Sequence, residues 1–485
     1  MAERPNIILI TCDQWRGDCL GVSGHPVVET PHLDWMAREG VNFTRAYTAC
    51  PSCIAARAGI LTGLAPRSHG RTGYRDGVDW NYETTLPGEL AAAGYHTQGV
   101  GKMHFYPPRS LMGFHNVVLH DGYLHHERTW RRYYDLADDY WVWLRDKLGQ
   151  EVDFAGHGLA ANSWVARPWH LEERFHPTNW VVTKSIEFLK RRDRRKPYFL
   201  WMSFVRPHAP LDPPACYLEQ YLSQEIPPPP VGDWADTLDA ERAGLNPNTT
   251  HGLIGPRQLR RAMAGYYALM THIDHQIGRF SEAVGEDGSA GDTAWLFAAD
   301  HGEMMGDHNC FRKALPYEGS ARVPFVLRAP GRFDLAAGSE PAAPVELRDI
   351  MPTLLDVAGV DIPASVEGES VLPLARGTSA EWRGHVHGEH AWGALSNHYV
   401  TDGREKYIWF SSDGREQLFD LVADPQELHD LSADRGRAPR LEHWRGVLAR
   451  ELAGREEGYS DGERLIAGRA ATAVQKWLPG GAGGA

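Results

Sequence analysis

Short apolar runs that stop abruptly on a polar residue recur along the first three quarters of the chain. Residues 6–12 (NIILITC) form a continuous β-branched run ending at Asp13-Gln14, the pattern of a parallel strand buried on both faces. Residues 197–205 (PYFLWMSFV), 293–299 (TAWLFAA) and 323–327 repeat it, and 41–47 read as a further strand. In 95–105 (YHTQGVGKMHF), strand alternation would put Lys102 and His104 on one face and Met103 on the other. Between these runs the period becomes helical. Residues 31–40 start at Pro31 and end at Gly40, 54–61 stop before Thr62-Gly63, 85–93 are closed by Gly94, and 180–191 are amphipathic. The clearest helix is 257–283, where Met263, Tyr267, Met270, Ile273, Ile277 and Phe280 recur at three- and four-residue steps. Residues 344–358 read as one helix kinked at Pro352. Strands alternating with helices predict an α/β fold with a large mixed, mostly parallel central sheet flanked by helices.

After about residue 370 the runs shorten. Residues 385–390, 397–401, 405–410 and 416–421 read as strands joined by turns at Asp402-Gly403 and Asp413-Gly414, a small antiparallel sheet followed by a helix over 440–453. The chain thus divides into a unit at 1–370, an antiparallel-sheet subdomain at 371–475 and a flexible tail at 476–485. Two segments interrupt the pattern. Residues 105–180 are crowded with aromatics, among them Trp130, Tyr133, Tyr134, Trp141, Trp164 and Trp180. They read as an insertion whose rings form a satellite core or a subunit contact, with a share in a pocket wall as the second reading. Residues 213–256, rich in Pro, Gly, Asn and Asp, read as a long surface excursion.

Composition narrows the class. With 42% hydrophobic and 23% charged residues over 485 positions, the chain is an ordinary globular protein. Its formal charge of −13 argues against a nucleic-acid partner, so an anionic substrate must be drawn in by a local cationic pocket. Six cysteines in this length make no disulfide framework. No apolar run approaches the eighteen or so residues of a membrane span, and the opening MAERPNIILIT reads as a strand rather than a signal peptide. A cytoplasmic protein without membrane contact is the expectation.

The stretch that carries candidate chemistry is 50–63, CPSCIAARAGILTG. Cys53 falls at a helix N-terminus, where unpaired N–H groups and the dipole favour an anion, and Arg57 four residues on shares its face. Taken alone, Cys50 and Cys53 are also open to a redox pair, half a zinc site or two buried thiols, although no second CxxC supports the zinc and the chain is far longer than a small redox domain. The other candidates lie where strands end: Asp13-Gln14, Lys102 and His104, His208 in the Arg206-Pro207-His208-Ala209-Pro210 exit, and Asp300-His301, with Lys313 twelve residues after His301. In an open α/β sheet such ends converge on one rim, which turns scattered signals into one site.

The pieces CIAARAGILTG, PNIILITCDQ, GVGKMH, RPHAP, AADHGEMMGDH with Lys313, and QLFDLVADPQELHDL together resemble the formylglycine-dependent sulfatases of the alkaline phosphatase superfamily over most of residues 5–430. Ala55 stands where the commonest signature has Pro. The resemblance implies that Cys53 is oxidised by a maturation enzyme to formylglycine, whose hydrate attacks a small-molecule sulfate ester and leaves a sulfated hemiacetal. It implies one divalent cation on Asp13, Gln14, Asp300, His301 and the residue made from Cys53. Carboxylates and an amide oxygen suit Ca²⁺ first, with Mn²⁺ or Mg²⁺ as alternatives. Arg57 and Lys102 would balance charge on the ester oxygens, His208 and Lys313 would assist the leaving oxygen, and His104 would deprotonate the second hydroxyl. Asp-Gln after the first strand and Asp-His after the later one are also features of phosphonate monoester hydrolases and phosphodiesterases, the alternative with the same site. A non-catalytic metal-binding or thiol-redox protein is the second alternative, and homo-oligomerisation is left open.

Overall fold

The computed structural model describes residues 4–123, 137–236, 246–378 and 381–478. Trp130, Tyr133, Tyr134 and tail residues 479–485 lie outside the described residues. In chain order the strands of the larger sheet are β1 (Asn6–Asp13), β2 (Val41–Asn42), then, past a two-residue β3 (Ala46–Tyr47), β4 (His96–Gly101), β5 (Asn116–Leu119), β6 (Tyr198–Pro207), β7 (Thr293–Ala299) and β8 (Phe325–Arg328). Their spatial order is β2-β8-β7-β1-β6-β4-β5. The five from β7 to β5 are parallel, and β8 runs antiparallel between β7 and β2, so the sheet is mixed but mostly parallel.

The central strand β1 explains the arrangement. Ile7, Ile8, Leu9 and Ile10 are wholly buried because helices cover both faces, each side chain contributing about 1.5–3 kcal/mol on leaving water. The Pro256–Glu286 helix lays its apolar stripe (Met263, Tyr267, Met270, Ile273, Ile277, Phe280) into the same core. Parallel strands bring all their C-terminal ends to one rim, and β1, β4, β6 and β7 deliver Asp13, Lys102, His208 and Asp300 there.

The second sheet is the expected meander. Strands β10 (Val386–His390), β11 (Asn397–Thr401), β12 (Glu405–Phe410) and β13 (Glu416–Asp420) pair antiparallel in sequence order, with Gly403 and Gly414 at positive φ in the two Asp-Gly turns. One face is covered by the Ala438–Glu451 helix through Leu441, Trp444 and Leu448. The other packs Tyr399, Ile408 and Phe419 against Tyr47 and Tyr317, beside the rim of the larger sheet.

Several expectations are corrected. Residues 41–47 are two short strands, because Val41–Asn42 pairs with β8 while Ala46–Tyr47 turns away to β9 (Val345–Glu346). That pairing also takes the front of the expected 344–358 helix. The helix starts at Ile350, which puts Pro352 in its first turn, where no intrahelical partner is lost and no kink is needed. Among the described residues, 105–180 forms no satellite: it supplies β5, and Phe114, Tyr140, Trp141 and Trp180 enter the main core. The 213–256 excursion contains the Ala215–Leu222 helix, which buries Leu218 and Tyr221, with Tyr221 Oη 2.5 Å from Thr271 Oγ1. The run at 323–327 is a strand only from Phe325, antiparallel to β7. Of the expected tail, Leu478 is buried against Val78 and Val474.

Strand β4 ends at Gly101 (φ +96°), so Lys102 and His104 lie in the loop beyond it rather than on a strand face. A Cβ at Gly101 would stand 1.9 Å from the Ser203 carbonyl oxygen. Gly94 has the same φ with nothing within 4 Å. Gly101→Ala should therefore cost more than about 2 kcal/mol in urea unfolding and Gly94→Ala about 1, strain alone accounting for the second. Equal losses at the two positions would refute the close approach as the cause.

Candidate active site

Cys53 is the first residue of the Cys53–Thr62 helix, which closes on Gly63 in the left-handed region at φ +68°, as the sequence requires. Asp13 ends β1 where the register with β6 slips between Cys12 and Asp13. Gln14 follows at φ +71°, held by its N–H to Asp300 Oδ1 (3.1 Å) and by the Tyr266 hydroxyl donating to its carbonyl (2.6 Å). Asp300 and His301 leave β7 alongside, with the Asp300 N–H on the Cys12 carbonyl at 3.1 Å. The ligand atoms of Asp13, Cys53, Asp300 and His301 all lie within 4.8 Å of one another, and all four residues are buried.

These groups fit a divalent cation. His301 Nδ1–H donates to the Gly302 carbonyl (2.9 Å), which turns Nε2 toward Cys53 Sγ (3.2 Å) and Asp13 Oδ1 (3.3 Å) as the ligating nitrogen. Two carboxylates, an imidazole and the Gln14 amide oxygen make a mixed hard set suited to Ca²⁺, Mn²⁺ or Mg²⁺.

Charges around the cluster are matched from several elements. Lys102 Nζ pairs with Asp13, and burial, which pushes that carboxyl up, is outweighed by Lys102, His208 and Lys313, so it is held well below the usual carboxylate range. Arg57 Nε meets Asp300 Oδ2 at 2.9 Å, while Nη1 donates to the Lys102 carbonyl (2.6 Å) and Ser203 Oγ (2.9 Å). The Arg57 guanidinium is wholly buried behind Asp300 and does not line the cavity. Burial and Asp13 raise the Cys53 thiol, but Lys102, Lys313 and His301 prevail and lower it overall. His301 is pushed up to about 9: burial and Lys313 oppose its charge, and Asp300, Cys53 and the hydrogen bond with Asp13 more than compensate.

A cavity of about 350 Å³ opens on this cluster, and Cys53, Lys102, His104, His208 and Lys313 all line it. Lys313 Nζ lies 3.1 Å from both Cys53 Sγ and Gln14 Oε1. His208 Nδ1–H donates to the Ala209 carbonyl (2.7 Å), and burial with Lys313 holds the ring well below its ordinary value, neutral and with its lone pair on Nε2. His104 is fixed by its main-chain N–H on Asp121 Oδ1 (3.0 Å). All ten expected site residues therefore reach one region, eight around the cluster and cavity, with Arg57 behind Asp300 and Gln14 at the edge.

Other residues here were not anticipated. Asp121 just past β5, Tyr123, and His390 and Trp392 at the end of β10 line the cavity, and Glu303 supports Gln14 from behind. The strand-end signal that exposed Asp13 was present for Asp121 and His390, but the first sat in a segment read as an insertion and the second in a separate sheet. Tyr123 bears out the second reading of 105–180, a share in the pocket wall.

The family model for sulfatases matches residues 5–360, and that for the C-terminal part of N-sulphoglucosamine sulphohydrolase matches 306–450. An arylsulfatase of Clostridium perfringens is 54% identical over 472 residues, covering 96% of this chain and 98% of its own. A choline-sulfatase of Rhizobium meliloti is 30% identical over 454 residues, covering 90% and 84%. Among solved structures, the phosphonate monoester hydrolase of Agrobacterium radiobacter superposes with a TM-score of 0.76 at 26% identity, over 92% of this chain and 95% of that one.

Because a divalent ion displaces the Nε2 proton of His301, its affinity should rise with pH up to about 9 and fall about tenfold per unit below. Titration of Ca²⁺ against a chelating dye at several pH values reads this directly; a flat profile would show that His301 is no ligand.

Proposed function

The chain belongs to the sulfatase family and hydrolyses sulfate esters, and from that premise we propose that its nucleophile is a formylglycine made from Cys53, served by one divalent cation on Asp13, Gln14, Asp300 and His301. The observation that carries the reading is the placement of Cys53 Sγ within one ligand cluster and 3.1 Å from Lys313, at the floor of the cavity. Hydrated formylglycine supplies two hydroxyls on one carbon, one to accept the sulfuryl group and one whose deprotonation releases sulfate, and the cation supplies positive charge beside them.

The chain's own residues do the remaining work. Lys102 and Lys313 bring positive charge to the sulfate oxygens without an excess over Asp13 and Asp300. Lys313 is the proton donor to the leaving oxygen, since His208 has its Nδ1–H engaged and offers an acceptor at Nε2. His104 is the base that takes the proton of the second hydroxyl. Arg57 holds Asp300 in place through its Nε. The substrate is a small sulfate ester, its alcohol directed toward Tyr123 and Trp392.

Further features support the biological setting. All six cysteines are unpaired, in keeping with a reducing cytoplasm, and among the described residues no helix is long and apolar enough to cross a membrane. A formylglycine-generating enzyme is the partner the reading demands. Residues 1–370 contribute most of the cavity wall, which supports reading them as the catalytic unit, with 371–475 closing one side. The phosphonate hydrolase reading is kept as the second because the same Gln14 and His301 pair would serve it, and a phosphonate monoester hydrolase shares the fold.

Co-expressed with a maturation enzyme, the protein should yield a proteolytic peptide whose position 53 carries an aldehyde in place of the thiol, while Cys50 remains a thiol. Full turnover from protein with intact Cys53 would rule out the mechanism. The two ester classes each bring one negative charge, so a ratio must decide between them. We expect kcat/KM for an aryl sulfate to exceed that for the matching aryl phenylphosphonate by at least about tenfold, or about 1.4 kcal/mol in the transition state. The reverse ratio would select the second reading.

A further inference from the structure

Gln14 is the weakest member of the ligand set, a neutral amide whose two ends differ completely in what they offer a cation. Its oxygen can ligate and its nitrogen cannot. Two neighbours decide which end faces the cluster. Lys313 Nζ, a pure donor, lies 3.1 Å from Gln14 Oε1. Glu303, on the opposite side, accepts from Gln14 Nε2 through its Oε2. The same carboxylate uses Oε1 for the main-chain N–H groups of Met305 (2.8 Å) and Arg312, so three donors converge on it and none of its partners is an acceptor. Both Glu303 and Gln14 are buried, at 3% and 4% exposure, which leaves water little part in the choice.

We propose that Glu303 is a positioning residue whose Oε2 fixes the direction of the Gln14 amide, so that Oε1 and not Nε2 is presented to the cation. The inference rests on the reading that Asp13, Gln14, Asp300 and His301 hold that ion. A reversed amide would turn its N–H₂ toward both Lys313 and the ion, two repulsive contacts replacing two favourable ones. Because Oε1 and Oε2 of Glu303 have separate tasks, exchanging Oε2 alone for N–H₂ leaves the Met305 and Arg312 hydrogen bonds intact. Glu303→Gln does this with unchanged shape.

The test is Ca²⁺ binding to metal-stripped protein with unmodified Cys53, read by competition with a chelating dye. Glu303→Gln should raise the Kd at least about tenfold, in the range typical of losing an outer partner of a metal ligand. The exchange Gln14→Glu with Glu303→Gln keeps the net charge and both side-chain shapes, and sets an acceptor at position 14 against a donor at 303. It should bring the Kd back to within about threefold of the parent or below it. A parental Kd in Glu303→Gln would overturn the proposal, and so would a weak Kd that the exchange does not repair, since that is general damage. Should Glu303→Gln fail to fold, the exchanged pair still decides, because it must fold and bind. Asp300→Ala separates the two levels: if it retains the ion, the metal reading itself has failed, whereas its loss alongside a parental Glu303→Gln defeats only this inference.

Discussion

Two carboxylates with no exposed surface, Asp13 and Asp300, set the conditions that the rest of the structure meets. Withdrawing such an ion from water costs several kcal/mol even after relaxation, and removing the partner of a buried pair typically costs about 3–5 kcal/mol. Here the compensation arrives from elements far apart in sequence. Arg57 comes from a helix, Lys102 from the loop after β4, His301 from the end of β7 and Lys313 from the excursion beyond it. Each pairing ties one more element to the same rim, so the charge balance that makes the site chemically competent also holds its walls in register. The positive φ at Gln14 and the Gly101 approach to Ser203 are local costs of bringing so many groups to one point.

The smaller sheet completes the site by the same logic. Tyr399, Ile408 and Phe419 seal it against Tyr47 and Tyr317, and the buried Lys406 ammonium, between Glu318 (2.7 Å) and Glu427 (2.9 Å), fixes the register across that contact. The Glu389 N–H on the Ala49 carbonyl and the Ala391 N–H on the Thr72 carbonyl then stitch the end of β10 to the segments flanking Cys53. His390 and Trp392 reach the cavity as a consequence. The charged floor is therefore built by the larger sheet, and the cavity wall is shared between the two.

Much of this was legible in the chain. The strands β1, β6 and β7 are continuous apolar runs because both their faces are covered, and the β10–β13 meander shows in alternation punctuated by Asp-Gly. Gly63 and the residues before it mark the helix that carries Cys53. Other elements were hidden for identifiable reasons. Apolar residues continue across the break, from Val345 and Leu347 to Ile350, Met351, Leu354 and Leu355, so periodicity does not show where β9 ends and the helix begins. Eight residues of helix at Ala215–Leu222 are too short to stand out among the prolines around them. The aromatics of 105–180 say that something is buried there without saying against what.

The sequence by itself determined which residue types stand at strand ends and helix starts, and with them the fold class, the candidate nucleophile and nearly all the charged groups of the site. That is local information: a burial pattern, a turn, a cap. Tertiary structure alone decided where each side chain points. Arg57 lies 243 residues from Asp300, Gln14 lies 289 from Glu303, and no short-range pattern records such pairings. Whether a guanidinium faces the cavity or a carboxylate behind it, and which end of an amide faces a cation, depends on partners that only the folded sheet brings within hydrogen-bonding distance. The reason is that hydrogen bonds and ion pairs act over a few ångströms in space, whatever the separation along the chain.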